Sequence, residues 1–378
     1  MFYVSKVSLP FFFLAVFDLL YSLVLKSLQI NVKVVWLSAV FGFIAHTIMS
    51  AMYQIVPNSQ SKALKFSKLS YLVFFISLLS SLSFYSFQTM PGSLLHLIAS
   101  MIFLLHTALS IRNWQPPTVK FLGLGAFYLF LSSLFLLLHE LGYVPFALAV
   151  HSLTLGFMLN VVVGVELAWI PMLYMEPLNV KLAKRLFYIS LVALPPLLSG
   201  FYLMDYRLIA LLSIFELSFV AYFMYILYSV FSQRRMPKEI PLVVRYFLFA
   251  LFLLPFGLFI GVIMAGEGLV SYLIPMHFDL LVYGFTATTI MGGLAHLYPR
   301  IVYNWKFSNM HGVSISDLVD EKALRRLFPL VPATLAFMVF FDALGKPFSY
   351  LSSIPYLLLW LYFIKSLLIR AITFKPTS

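Results

Sequence analysis

The sequence predicts an all-α integral membrane protein: twelve transmembrane helices in three pseudo-equivalent four-helix arcs. Three observations predict it. Apolar runs of about 20 residues, the length needed to cross roughly 30 Å of hydrocarbon, recur from end to end of the 378 residues. Basic residues concentrate in alternate loops. One phrase (Gly-Phe, thirteen residues, then Pro) occurs three times, as Gly42-Phe43 to Pro57, Gly156-Phe157 to Pro171, and Gly284-Phe285 to Pro299.

Taken in order, the runs centre near residues 16, 45, 78, 101, 129, 159, 193, 219, 253, 285, 333 and 360. Span 1 carries Asp18 and lacks a small-residue cleavage site, so it reads as a retained helix and not a cleaved signal. Span 2 holds the first copy of the phrase. Span 3 follows a basic stretch with Lys62, Lys65 and Lys68, and span 4 carries His96 and His106, about 15 Å apart along the axis. Span 5 ends at His139 and Glu140, span 6 holds the second copy, and span 7 contains the segment LPPLLSGFYLMD. Span 8 carries Glu216 and leads into Arg234, Arg235 and Lys238, span 9 is a plain apolar run, and span 10 holds the third copy. The hydrophilic stretch at 300–322 is too short for a separate domain, and spans 11 and 12 complete the chain. One domain, 1–378, is expected, with repeat units of about 1–112, 113–235 and 236–378.

The chain is 62% hydrophobic and 10% charged, with a mean hydropathy of +0.99. A soluble domain of this length would not hide so much apolar surface, whereas a lipid bilayer accepts it. Loops after even-numbered spans hold 17 of the 25 Lys and Arg residues, and those after odd-numbered spans hold only Lys26, Lys33, Arg207 and Lys346. The positive-inside rule therefore places both termini in the cytoplasm. The net charge of +12 is then topology, and no nucleic-acid partner is expected. The absence of cysteine excludes cysteine-ligated iron–sulfur clusters, covalent c-type haem and a thiolate-bridged copper centre within this chain.

In each copy the glycine, a small residue eight positions on (Ser50, Gly164, Gly292) and the proline fall within about 80° of one helix face. Such a stripe admits a neighbouring backbone or a flat cofactor. His277 precedes Gly284 by seven residues and His151 precedes Gly156 by five, both inside apolar runs. Intramembrane ionisable groups are costly and line cavities or bind something, and imidazole is a common axial ligand to haem iron. Two readings stay open for each histidine: metal ligation, or an interhelical hydrogen bond. His96 and His106 could serve two haems but fit no ligand motif and read first as core hydrogen-bonding groups; His46 and His296, deeper in the repeat, and His139 and His311, in loops, read as structural. Asp279, two residues past His277, points to nearly the opposite side of its helix. It is expected to accept a proton, pair with His or Arg of another span, or hydrogen-bond a ligand histidine. Glu166, Glu216 and Glu140 are either a proton relay or neutral acids satisfied by their neighbours.

The segment from His277 through Gly284, Gly292 and Pro299 to Arg300 resembles helix 10 of the haem–copper oxidase catalytic subunit, particularly its cbb-type branch. In that family the first histidine binds the high-spin haem and the second the low-spin haem; this chain has Asp279 at the second position. Span 6, with His151 twenty residues before Pro171, is similar to the helix that carries a copper ligand, although His151 is one residue off when counted from glycine. Span 2 has Val35 where the other low-spin haem ligand would stand, and span 7 lacks the adjacent His-His pair of the copper site. The chain also resembles the NnrS-like membrane haem proteins in length, span count and H-x-x-x-x-GF phrasing.

What the resemblance implies is an oxidase-like frame without a complete copper site. One b-type haem is expected near the outer face, with His277 as proximal ligand, His151 across the site as a second axial ligand or a distal hydrogen-bond donor to a small ligand, and Gly284 and Gly156 giving close approach to the macrocycle. Copper is not expected. The activity implied is electron transfer or handling of a small gas ligand such as NO or O2, with a redox partner or other membrane subunits, in a bacterial or archaeal-type cytoplasmic membrane. The alternative is a haem-free membrane subunit or small-molecule permease that keeps the fold.

Overall fold

The structure, a computed structural model, describes residues 2–233, 239–345 and 348–376. Arg234, Arg235, Lys238 and Lys346, four of the basic residues used above, lie outside the described residues. Twelve helices among the described residues are long and apolar enough to cross a membrane. They are α1 (Ser8–Ser27), α2 (Val32–Ser59), α3 (Lys68–Tyr85), α4 (Thr89–Ser110), α5 (Pro117–Glu140), α6 (Phe146–Tyr174), α7 (Val180–Leu203), α8 (Tyr206–Ser232), α9 (Leu242–Gly266), α10 (Leu273–Phe307), α11 (Glu321–Leu344) and α12 (Phe348–Thr373). This is the pattern of an integral membrane protein, in which every backbone polar group in the hydrocarbon is satisfied within its own helix.

Local sequence sets many of the ends. The Asn31, Asn179 and Asp205 side chains accept hydrogen bonds from the backbone N–H groups of Val34, Leu182 and Leu208, capping α2, α7 and α8. Pro117 opens α5 at a position where its missing N–H costs nothing. Pro171 lies in the last turn of α6, which stops where Met175 turns left-handed at φ 57°.

The three helices that carry the repeated phrase lie innermost. α2 touches both α6 and α10. The apolar windows of α2, α6 and α10 are 89%, 78% and 78% buried, against 22–67% for the other nine. Around them, α3, α4 and α5 pack in succession, as do α7, α8 and α9, and α12 returns to α1. Phe75, Leu79, Val192, Leu211, Phe252 and Phe259 turn outward on these surrounding helices, an apolar surface suited to lipid.

The repeated stripe is a packing seam. A methyl group placed on Gly42 would sit 2.6 Å from Asp18 Cγ of α1, one on Gly156 2.5 Å from Tyr128 Cγ of α5, and one on Gly284 3.1 Å from Leu253 Cδ1 of α9. Eight residues on, Ser50 exchanges hydrogen bonds of 2.7 and 3.0 Å with Ser8 of α1. Gly164 lies against Phe121 of α5, and Gly292 against Tyr246 and Phe247 of α9. In each case the small residues let the helix approach the one that precedes it in sequence.

Each inner helix also loosens at its Gly-Phe. α2 over Leu37–Ile44, α6 over Ser152–Leu159 and α10 over Asp279–Thr286 widen into π-helical turns, a feature that is rare and frequent at functional sites. Side chains take up carbonyls in these turns: Asn160 Nδ2 donates to Gly156 O at 2.8 Å, and Thr286 Oγ1 to Leu281 O at 2.7 Å.

Candidate functional site: a cavity faced by two histidines

The wide turns of α6 and α10 begin just after His151 and His277. The structure brings these two residues together, with ring centres 6.3 Å apart and ring planes inclined by 28°. Both line a cavity of about 300 Å³ walled by α2, α6, α7, α8, α9 and α10. Its wall is almost wholly apolar, with Trp36, Val40, Met158, Leu197 and Leu254 contributing.

Each imidazole is held through Nδ1. His277 Nδ1 donates to Gly257 O of α9 at 2.8 Å, and His151 Nδ1 donates to Ala147 O one turn back at 2.8 Å. A carbonyl can only accept, so each ring keeps its proton on Nδ1 and presents the Nε2 lone pair. No hydrogen bond engages either Nε2 among the described residues. Phe201 of α7 stacks on His151 with ring centres 3.8 Å apart and planes 16° from parallel. It belongs to the span 7 segment noted above for lacking a His-His pair.

Gly257 and Gly261 of α9 make the seat for His277. A methyl group on Gly261 would lie 2.6 Å from His277 Cε1, and one on Gly257 2.5 Å from Leu281 Cδ2. Sequence reasoning passed over span 9, yet the signal was present: Gly257-Leu-Phe-Ile-Gly261 is a Gly-x-x-x-Gly motif within an apolar run.

The other candidates lie elsewhere. Gly156 and Gly284, expected to admit the face of a macrocycle, admit Tyr128 on one helix and Leu253 with Leu335 on the other; neither glycine lines the cavity. Their small size serves helix packing. Asp279 is fully buried and faces away from the histidines, ion-paired with Lys26 of α1, which also holds Asp342 Oδ2 of α11 at 2.7 Å. The partner is thus a lysine, from a residue assigned above to a loop but lying in the last turn of α1. Nearby, Tyr283 and Ser22 share a 2.8 Å hydrogen bond, and Tyr356 donates to Tyr283 O at 2.5 Å.

The remaining membrane histidines are each bonded through at least one ring nitrogen, although His46 Nε2 is buried without a partner among the described residues. His96 bonds Ser133 Oγ at 2.8 Å and Phe41 O at 3.0 Å, and His106 bonds Lys65 O at 2.6 Å. His46 Nδ1 meets Asp18 Oδ2 at 2.8 Å, and Tyr85 donates to Asp18 Oδ1 at 2.5 Å. Arg300 bonds His296 Nδ1 at 3.0 Å. Glu140 receives Lys33 at 2.8 Å and Thr89 at 2.8 Å. Among the described residues no group of three or more His, Asp or Glu could hold a metal ion.

The group implied by the resemblance, a b-type haem, can be tested against this donor set. A ligating histidine ordinarily donates its second nitrogen to a carbonyl or carboxylate, and both rings do so. The two side chains thus carry the hydrogen-bonding pattern of ligating histidines, Nδ1 engaged and Nε2 unengaged.

No protein-family model matches the chain. It is 44% identical over 370 residues, 97% of its own length and 98% of the other's, to a protein from Aquifex aeolicus (strain VF5) described as an uncharacterized protein. At that identity and coverage, the chain belongs to the same family as the Aquifex aeolicus protein.

Proposed function

We propose that this chain is an oxidase-like membrane haem protein that holds one b-type haem near the outer face, with His277 and His151 as its axial groups. The observation that carries the reading is the pair of imidazoles across one apolar cavity, each locked through Nδ1 with Nε2 unengaged. Bound there, the haem would supply a one-electron centre or a seat for a small gas ligand such as NO or O2. The chain's own contribution is positional. Gly257 O and the notch at Gly261 fix the His277 ring, Phe201 fixes the face of His151, and the apolar wall excludes water. Losing such a supporting hydrogen bond typically costs 10- to 100-fold in metal affinity or activity.

The same proposal includes a finer topology. The alternate-loop excess of Lys and Arg favours cytoplasmic termini, which sets the histidine cavity toward the outer surface. The seams of α2 on α1, α6 on α5 and α10 on α9 favour three arcs, α1–α4, α5–α8 and α9–α12. A redox partner or further membrane subunits would dock on this frame in a bacterial or archaeal-type cytoplasmic membrane.

One observation favours a second reading, a haem-free membrane subunit or small-molecule permease: among the described residues no lysine or arginine lines the cavity to meet haem propionates. Absorption spectra separate the two. Wild type, His277→Ala and His151→Ala are purified in detergent from haem-replete cells and recorded oxidised and reduced. A Soret band in wild type that is lost or converted in each variant is expected. Folded wild type without the band refutes the haem and leaves the second reading, and a band unchanged in both variants refutes the two ligands.

A further inference from the structure

The wall of the histidine cavity is made of buried or half-buried side chains except at one end. Of the residues that line it, Met204 and Leu269 are exposed, at 40% and 41%. Met204 stands in the turn between α7 and α8, and Leu269 in the turn between α9 and α10. Tyr206 and Ile274, in the first turns of α8 and α10, line the same end. Beside them Asp205, Arg207, Glu267 and Ser271 are exposed, and charged side chains of this kind belong at a water boundary and not in lipid. The wall therefore meets the aqueous surface between these two turns, which the distribution of Lys and Arg sets on the outer side. The path inward is short. On α9, Gly261, where an added methyl would meet His277, is followed by Ala265 one turn later and then by Leu269, and all three line the cavity. On α7, Met204 follows by three residues Phe201, the ring stacked on His151.

What the cavity can admit follows from its lining. Among the described residues no Asp, Glu, Lys or Arg lines it. The hydroxyls of Thr154, Ser213 and Thr286 donate to the carbonyls of Val150, Ala210 and Leu281 in their own helices, at 3.0, 2.6 and 2.7 Å. An ion leaving water for such a wall would lose its hydration and find no countercharge. A neutral apolar molecule gains from the same transfer. Apolar cavities of about 150 Å³ already take up benzene or xenon, and this one is about 300 Å³.

We infer that the histidine cavity is a binding site for a small, uncharged and largely apolar molecule, which enters from the outer side between the α7–α8 and α9–α10 turns past Met204 and Leu269. Ions and charged metabolites are excluded as its ligands. The inference rests on the wall and its mouth and not on haem, and it holds under either reading of the histidines. Met204 and Leu269 both hold left-handed backbone, at φ 53° and 67°, a conformation that glycine adopts without steric cost. Replacing either by glycine therefore takes a side chain out of the mouth without straining the turn that carries it.

The chain has no cysteine, so a single thiol can be placed on the path. Ala265→Cys protein in detergent is treated with methyl methanethiosulfonate, which is small and neutral, and separately with its cationic trimethylammonium-ethyl and anionic sulfonatoethyl analogues. Mass spectrometry follows the modification, and Ser271→Cys, exposed on the neighbouring turn, calibrates each reagent. Relative to that control, the Ala265→Cys thiol should react about tenfold faster with the neutral reagent than with either charged one, the charged ones having to shed their hydration. Adding Met204→Gly or Leu269→Gly should speed the neutral reaction severalfold. A thiol that none of the reagents reaches, or that a charged one reaches as readily as the neutral one, overturns the inference. Glycine variants that leave the neutral rate unchanged overturn the mouth. The absorption spectrum of the same sample reports haem separately, so the haem reading can fail while this inference stands, and the reverse.

Discussion

Replacing Lys26 by Met should destabilise the protein far more than replacing either of its acidic partners. One ammonium faces two carboxylates, Asp279 of α10 and Asp342 of α11, and the side chains of the three are 10%, 0% and 5% exposed. Counted with all groups ionised, the cluster carries one net negative charge. Lys26→Met raises that to two with no cation left, while Asp279→Asn or Asp342→Asn leaves a one-to-one pair. Removing one partner of a buried ion pair typically costs 3–5 kcal/mol, because the remaining charge stays out of water uncompensated. At about 2 °C per kcal/mol for a long chain, the melting temperature of Lys26→Met should fall by roughly 6–10 °C, and that of each Asn variant by no more than about 2 °C. The triple variant Lys26→Met, Asp279→Asn, Asp342→Asn should recover most of the loss, since replacing an entire buried charged cluster is often neutral. Thermal unfolding in a single mild detergent, followed by circular dichroism, provides the comparison. Refutation would be a Lys26→Met protein that melts with wild type, or an Asp279→Asn protein that loses as much as Lys26→Met.

Two further outcomes are expected. Gly164→Ala would place its methyl 2.8 Å from Phe121 Cβ and 2.9 Å from the Thr118 carbonyl, whereas Gly293→Ala meets only Trp169 at 3.8 Å. In the same melting assay the first should cost about 1–3 kcal/mol as overpacking and the second should be near neutral, and equal effects would refute the seam. Outside the membrane, Asp317 accepts hydrogen bonds of 2.8 Å from both the backbone N–H and the hydroxyl of Ser314, and these hold its carboxyl below the ordinary aspartate range. Because the folded value is the lower one, the turn at Ile315–Leu318 is supported above the unfolded aspartate value and loses that support as pH falls through the folded one. Titration of the Asp317 carboxyl by NMR should show the depression, and Ser314→Ala should reduce it without abolishing it, because the backbone N–H remains.

Much of the fold was legible because bilayer thermodynamics writes it into composition. Each helix had to be long and apolar, so the twelve centres read from hydropathy coincide with α1–α12 to within a few residues. The repeat was legible too, though its meaning was not. Small residues on one helix face are equally consistent with a cofactor and with a neighbouring helix, and only the positions of Asp18, Tyr128 and Leu253 decide for packing. The π-helical turns coincide with the three Gly-Phe pairs, but the pair by itself did not announce them.

The sequence alone determined that this is a twelve-helix membrane chain with three related helices, and it singled out His151 and His277 as exceptional among apolar neighbours. Only the tertiary structure decided that those two rings face one cavity, that Asp279 turns away to a lysine, and that His96 and His106 spend their nitrogens on core partners. The same holds for Met204 and Leu269, ordinary turn residues until the cavity closes between their turns. The physical reason is the range of the interactions. Burial in lipid acts on each helix separately and is recorded in its own residues, whereas a side chain's partner is contributed by another helix, 253 residues away in the case of Lys26 and Asp279.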